Sequence, residues 1–219
     1  MRLLVVSDIH GNEDALDKFR DEAATADILL CVGDLTHFGE VTDARKILDK
    51  LRNLHPVVRS VAGNCDNREI ESYLHEEGVL LTSKAEEIQG ALFAGLSGAM
   101  PGPIDTPYEI SEDQIEAFLE QLPADAGQPL ILVSHQPPYN TVADRAMKMK
   151  HVGSRRLSEW SGWNGTRVRW STSAAPRLAF MRRGPRPWPR RTATAFSAKA
   201  TGSRSTRSGA SPISGRSTC

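Results

Sequence analysis

Asp8 and His10 stand two residues apart at the end of the apolar run in LLVVSDIHGN (residues 3–12). In an extended segment residues two apart point to the same side. A carboxylate and an imidazole placed so can share one divalent cation. The same kind of ending recurs along the chain. Gly33–Asp34 follows Ile28–Val32, Gly63–Asn64 follows Val57–Val61, and His135 lies in Ser134–His135–Gln136–Pro137–Pro138 after Leu130–Val133. Taken singly, such an Asp caps a turn or helix, a lone His is a satisfied surface or core residue, and Asn after Gly is a turn residue. Recurrence favours a metal site, because four separate apolar runs deliver carboxylate, imidazole or amide. Two cations about 3.5–4 Å apart can activate a bridging water and neutralise a phosphoryl oxygen. Their mutual repulsion calls for a bridging anion, and Asp34 can serve. Mixed oxygen and nitrogen donors suit Mn, Fe, Zn or Ni, with Mn the leading expectation, better than Ca.

The elements that must position these side chains read as strand–helix units. Leu3–Ser7 is a strand buried on both faces. Gly11 allows a tight turn and Asn12 is suited to cap a helix over residues 13–25, with Ala15, Leu16, Phe19 and Ala23 on one stripe. Strands at Ile28–Val32 and Val57–Val61 flank a helix over residues 40–52. Asp66 and Glu69 have capping-box spacing, which predicts a short helix from there. Short strands follow near Val79–Leu81, Glu87–Gln89 and Leu92–Leu96, then a Gly- and Pro-rich loop over Ala99–Pro107. Ser111 and Gln114 open a helix to about Leu122, and Leu130–Val133 is a further strand. Successive units of this kind make an α/β fold with a parallel sheet, and open sheets of that kind hold ligands at the carboxyl ends of their strands.

The formal net charge of zero sums two opposite parts. Residues 1–151 hold 13 Lys and Arg against 26 Asp and Glu, and residues 152–219 hold 14 against 1. Dense surface carboxylate of that order suits a high-salt cytoplasm. Cys31, Cys65 and Cys219 have no paired spacing, so neither a disulfide framework nor a Cys-type zinc site is expected. Neither a signal peptide nor a run of about 18 apolar residues is seen, so a soluble, cytoplasmic protein without membrane partners is expected.

Asp8-x-His10, Gly33–Asp34, Gly63–Asn64 and Ser134–His135–Gln136–Pro137–Pro138, in that order, resemble the successive motifs of the calcineurin-like metallophosphoesterases. The resemblance covers residues 1–151. It implies two mixed β-sheets packed as a sandwich and flanked by helices, with a dinuclear site at the strand ends. It further implies that Asp8 and His10 hold a first metal, that Asp34 bridges, and that Asn64 and His135 hold a second. Asp34, Asn64 and His135 would then be catalytic in hydrolysing a phosphodiester, or less readily a monoester, by hydroxide bridging two metal ions. Asn12 and Arg68 are positioned in sequence to meet the phosphate. A haloacid-dehalogenase-type site would need a second Asp where His10 stands.

Two departures matter. Cys65 occupies the place after Gly–Asn where many members carry a His assisting the leaving group, which is closer to the small archaeal and bacterial phosphodiesterase-like branch. Cys65 reads as a small buried residue rather than a reactive thiol. The family's last motif, Gly-His-x-His, gives one ligand to each metal, yet no histidine follows His151. His151 cannot replace two ligands and reads as a phosphate contact or plain loop residue. Impaired activity is the consequence.

The expected organisation is a phosphoesterase domain over residues 1–155, short of its C-terminal strands, and a basic low-complexity tail over residues 156–219. The run RRGPRPWPRR, residues 182–191, cannot be helical because its prolines remove donors and fix φ. Three readings compete for the tail. Arg mixed with Trp suits a nucleic-acid arm, the composition also fits inert disorder, and it fits a G+C-rich gene read out of frame from about residues 155–165. The out-of-frame reading is favoured. The alternative function is an inactive phosphoesterase-like protein whose tail binds nucleic acid.

Overall fold

Continuous apolar runs can be buried on both faces only inside a layered structure, and that is what they build. The computed structural model describes residues 1–102, 104–123, 127–141, 143–146, 150–163, 179–182 and 194–197. Strands β1 (Leu3–Ser7), β2 (Ile28–Val32) and β3 (Val58–Val61) pair in parallel in that order, with Val5 opposite Leu30 and Leu30 opposite Arg59. A second sheet joins β4 (Glu86–Ile88), β5 (Ala91–Leu96) and β6 (Leu130–Ser134). Here β4 runs antiparallel and β6 parallel to β5. A small hairpin pairs β7 (Arg145–Ala146) with β8 (Lys150–His151).

Two short strands close the outer positions. β9 (Ala179–Arg182) adds antiparallel to β6, and β10 (Thr194–Ser197) adds parallel to β1. The orders are therefore β10-β1-β2-β3, parallel throughout, and β4-β5-β6-β9, mixed. The sequence predicted that the C-terminal strands are missing; β9 and β10 are the strands described beyond residue 163. Pairing at a sheet edge satisfies backbone N–H and C=O groups, so it needs no apolar alternation in the added strand.

Side-chain alternation divides the core in two. Leu3, Val5, Ile28, Leu30, Val32 and Val61 from one sheet meet Phe93, Ile131 and Val133 from the other, which is a sandwich interior. The intervening residues Leu4, Val6, Leu29, Cys31, Leu130 and Leu132 face the helices. Fully burying each such aliphatic side chain is worth about 1.5–3 kcal/mol.

The helices follow the expected stripes with local changes. The helix predicted over residues 13–25 is broken into α1 (Glu13–Leu16), one tight 3₁₀ turn (Asp17–Phe19) and α2 (Arg20–Thr25). Leu16 and Phe19 are three apart and both buried, and a 3₁₀ turn eclipses side chains at that spacing. α3 (Val41–Leu54) buries Ala44, Ile47, Leu48 and Leu51. α4 (Arg68–Glu76) starts one residue later than its sequence signal: Asn67, not Asp66, accepts the Ile70 N–H at 2.9 Å. α5 (Glu112–Glu120) has the predicted Ser111–Gln114 capping box. Val79–Leu81 forms no strand, only an isolated bridge from Leu80 to Ser60.

α6 (Arg155–Trp163) straddles the expected boundary at residue 155. Glu112 accepts hydrogen bonds from the backbone of Arg155 and Arg156 and from the Ser154 hydroxyl, and Leu157 is buried in the helix-side core. The basic stretches 164–178, 183–193 and 198–219 lie outside the described residues.

Candidate metal centre

The carboxyl ends of β1, β2, β3 and β6 carry Asp8, Asp34, Asn64 and His135 to one edge of the sandwich. The loops after β1 and β2 are zipped together by backbone bonds from Asp8 N to Gly33 O at 3.2 Å, His10 N to Asp34 O at 2.9 Å and Gly11 N to Leu35 O at 2.8 Å. That zipper places Asp8, His10 and Asp34 in the left-handed region, at φ 56°, 50° and 53°. Such values are uncommon away from glycine, though Asp, Asn and His tolerate them best. Gly33, at φ 80°, is required outright, because a Cβ there would sit 2.5 Å from His135 Nδ1. A Cβ on Gly63 would collide with the Asp34 carboxylate.

Asp34 is the middle of the arrangement. Its Oδ2 lies 3.7 Å from His10 Nε2, and its Oδ1 lies 3.3 Å from His135 Nε2. Asp8 Oδ1 is 3.9 Å from the same His10 nitrogen. The donor atoms of Asp8, His10 and Asp34 all fall within 4.8 Å of one another. On the other side, His135 Nε2 is 3.0 Å from Asn64 Oδ1. Asp8 and Asp34 are buried, His135 fully so.

The ring nitrogens facing away fix the tautomers. His135 Nδ1 is 2.8 Å from the Val32 carbonyl, and His10 Nδ1 is 3.3 Å from the Thr36 carbonyl. A carbonyl only accepts, so in the neutral ring Nδ1 carries the proton and Nε2 turns a lone pair inward. His135 Nε2 then faces Asn64 Oδ1 and Asp34 Oδ1, and His10 Nε2 faces Asp8 Oδ1 and Asp34 Oδ2. Acceptors facing one another in this way could hold a cation between them. Oxygen and nitrogen donors of this kind fit divalent Mn, Fe, Zn or Ni.

Asp66 holds the frame, a role its capping-box spacing concealed. Its buried carboxylate accepts from Leu35 N at 3.1 Å, Thr36 N at 2.9 Å, Thr36 Oγ1 at 3.0 Å and Gly63 N at 2.9 Å. One side chain thereby clamps the loops after β2 and β3. Burial pushes its carboxyl pKa up, against the pull of these hydrogen bonds.

His37 also escaped the sequence reading, although it lies three residues after Asp34. His10, His37 and Cys65 form a second group with donor atoms within 4.8 Å of one another. Cys65 is buried, as expected, and its backbone N–H donates to Asp34 Oδ1 at 2.9 Å. Burial and then the Asp34 charge push its thiol up to about 12. Asn12 uses its side chain to cap α1, accepting from Ala15 N at 3.1 Å. Arg68 lays its guanidinium over the Tyr108 ring, 4.4 Å from the centroid. His151 pairs through Nδ1 with the buried Asp144 at 2.9 Å and belongs to neither donor group.

Residues 1–173 match the sequence profile of the calcineurin-like phosphoesterases. The chain belongs to that family. An uncharacterised protein of Methanocaldococcus jannaschii is 34% identical over 162 residues, 72% of this chain and 71% of its own. Among solved structures, a protein of Thermus thermophilus shares the fold with a TM-score of 0.55 at 19% identity, over 74% of this chain and 77% of its own. A second solved structure gives 0.59 at 18% identity, over 74% and 79%. At family level, a calcineurin-like phosphoesterase is a metal-dependent enzyme acting on phosphate esters. Among the described residues no helix is long and apolar enough to cross a membrane.

Proposed function

We propose that this calcineurin-like phosphoesterase hydrolyses a phosphodiester, and a monoester less readily, at a dinuclear metal site. Asp8 and His10 hold one cation, Asn64 and His135 hold the other, and Asp34 binds both. The observation that carries the reading is the Asp34 carboxylate, whose two oxygens face two different imidazole nitrogens at 3.7 and 3.3 Å. When bound, a pair of divalent cations acidifies a water for in-line attack and neutralises charge on the phosphoryl oxygens. The residues then do the positioning. The Val32 and Thr36 carbonyls hold His135 and His10 in the tautomer that presents Nε2. The Ser7 hydroxyl donates to Asp8 Oδ2 at 2.7 Å, leaving Oδ1 turned to His10. Cys65 stays a neutral thiol beside Asn64, so no imidazole serves the leaving group from that position.

The test is hydrolysis of bis(p-nitrophenyl) phosphate by the full chain with Mn²⁺, together with metal content by mass spectrometry. Two Mn per chain, activity abolished by EDTA, and both lost in Asp34→Ala support the proposal. A stoichiometry of one, or activity that survives Asp34→Ala, overturns it.

A further inference from the structure

Phe38 is conspicuous for where it sits and how it is held. It is half exposed, and with Ile104 it is one of two large hydrophobic side chains exposed among the described residues. Its backbone is left-handed, at φ 56°, which for a bulky non-glycine residue is an outlier that surrounding structure must impose. The restraints are visible. Phe38 N donates to the Cys65 carbonyl at 3.2 Å, and Gly39 N donates to Thr36 Oγ1 at 3.3 Å. Thr36 is itself fixed to Asp66 through both its N–H and its hydroxyl. The clamp that aligns the two loops of the metal centre therefore also presents Phe38 to solvent. Its ring lies 4.7 Å from that of His37, and His37 meets His10 edge-on at 5.3 Å. His37 also lines an open cleft of about 230 Å³ with His10, Thr36 and Lys46.

A strained, exposed Phe38 and the exposed His37 beside it thus lead out from the metal-ligand candidate His10. We propose that His37 and Phe38 form the subsite for a planar aromatic group esterified to the phosphate, so that the substrate is an aryl or nucleoside phosphodiester. The inference rests on the hydrolytic reading of Asp8, His10, Asp34, Asn64 and His135. The placement suits it: the His37 ring meets the metal-ligand candidate His10 at 5.3 Å and lines the same open cleft. Exposed aromatic faces bind bases and aryl rings by stacking, worth about 1–3 kcal/mol, or roughly five- to 150-fold in affinity.

The experiment compares ligand pairs that share a phosphate group and differ in the ring. Phenylphosphonate against methylphosphonate tests an aryl group close to phosphorus, and AMP against ribose 5-phosphate tests a nucleobase further out. Binding to the Mn²⁺-loaded full chain is measured by calorimetry for the parent, Phe38→Ala and Phe38→Tyr, with thermal melts as the control for folding. The expected result is at least about a fivefold preference for the aromatic member of one pair. It falls to parity in Phe38→Ala through loss of aromatic-ligand affinity alone, and it is kept in Phe38→Tyr. Preference in the first pair identifies an aryl ester, and preference only in the second a nucleotide. Equal binding within both pairs, or a preference that survives Phe38→Ala, overturns the subsite while leaving the hydrolytic reading intact. If no ligand binds and no diester is hydrolysed, the hydrolytic reading falls and the subsite with it.

Discussion

Replacing Asp66 by Asn should cost stability out of proportion to its single changed atom. In the parent, each carboxylate oxygen accepts two hydrogen bonds: Oδ2 from Leu35 N and Gly63 N, Oδ1 from Thr36 N and Thr36 Oγ1. Asn offers one acceptor and one donor group. Its amide fares best beside Thr36, whose hydroxyl can rotate to accept, and even there the Thr36 N–H loses its partner and faces an N–H. Leaving a buried polar group unmet costs about 1–3 kcal/mol, and two groups are affected. The ionised carboxylate carries its own burial cost, visible in its raised pKa, which Asn removes. The net loss should therefore lie near the lower end, about 2–3 kcal/mol, or about 4–12 °C in Tm. Urea unfolding of the metal-free protein followed by far-UV circular dichroism measures it. The pH dependence has a definite sign. A carboxyl whose pKa is raised in the fold binds its proton more tightly folded than unfolded, so its contribution to stability grows as pH falls through the folded value towards 3.8. The gap between parent and Asp66→Asn should widen on acidification over that window. A variant within about 0.5 kcal/mol of the parent at pH 7 would refute the clamp, and a gap that narrows with acid would refute the burial argument.

Gly33→Ala should weaken Mn²⁺ binding by at least about tenfold in calorimetry, because it strains a left-handed position and drives a methyl group onto His135 Nδ1; unchanged affinity would show that His135 is not a ligand. In EDTA-treated protein Cys65 and Cys31, both pushed up to about 12, should resist iodoacetamide at pH 8 and react only after unfolding in urea. Stoichiometric native alkylation of Cys65, located by peptide mass spectrometry, would contradict that. Translating the gene in its other two frames beyond residues 155–165 should bring out Gly-His-x-His. If neither frame holds it, the basic segment is the protein's own.

The sequence made the sheets legible where burial was two-sided. Leu3–Ser7, Ile28–Val32 and Leu130–Ser134 are continuous apolar runs, and all become strands buried along their whole length. The convergence of Asp8, His10, Asp34 and His135 followed from each standing just beyond such a run, while Asn64 follows Val58–Val61, which carries a half-buried Arg59. What escaped was set by contacts distant in sequence. Asp66 looked like a cap because Glu69 lies at the right spacing, while its partners Leu35 and Thr36 are 31 and 30 residues away and leave no local pattern. The tight turn at Asp17–Phe19 depends on Leu16 and Phe19 both reaching the core, which a hydrophobic stripe cannot distinguish from a regular helix. β9 and β10 pair with β6 and β1 in a stretch whose composition argues for disorder.

His37 and Phe38 show the same limit from the functional side. In sequence they are two ordinary residues after a Gly–Asp motif. Their meaning comes from the left-handed backbone at Phe38, and that conformation is a consequence of Asp66 and Cys65 reaching across from the next loop. The aromatic pair and the metal-ligand candidates therefore share one scaffold: Gly33 and Gly63 let the loops approach, and Asp66 fastens them at that separation. A change that loosens the scaffold should degrade metal affinity and aromatic preference together. A change at the exposed Phe38 ring should touch the second only. Comparing Asp66→Asn with Phe38→Ala on both measurements separates a site built as one unit from two features that merely adjoin, since independent features would leave aromatic preference intact in Asp66→Asn.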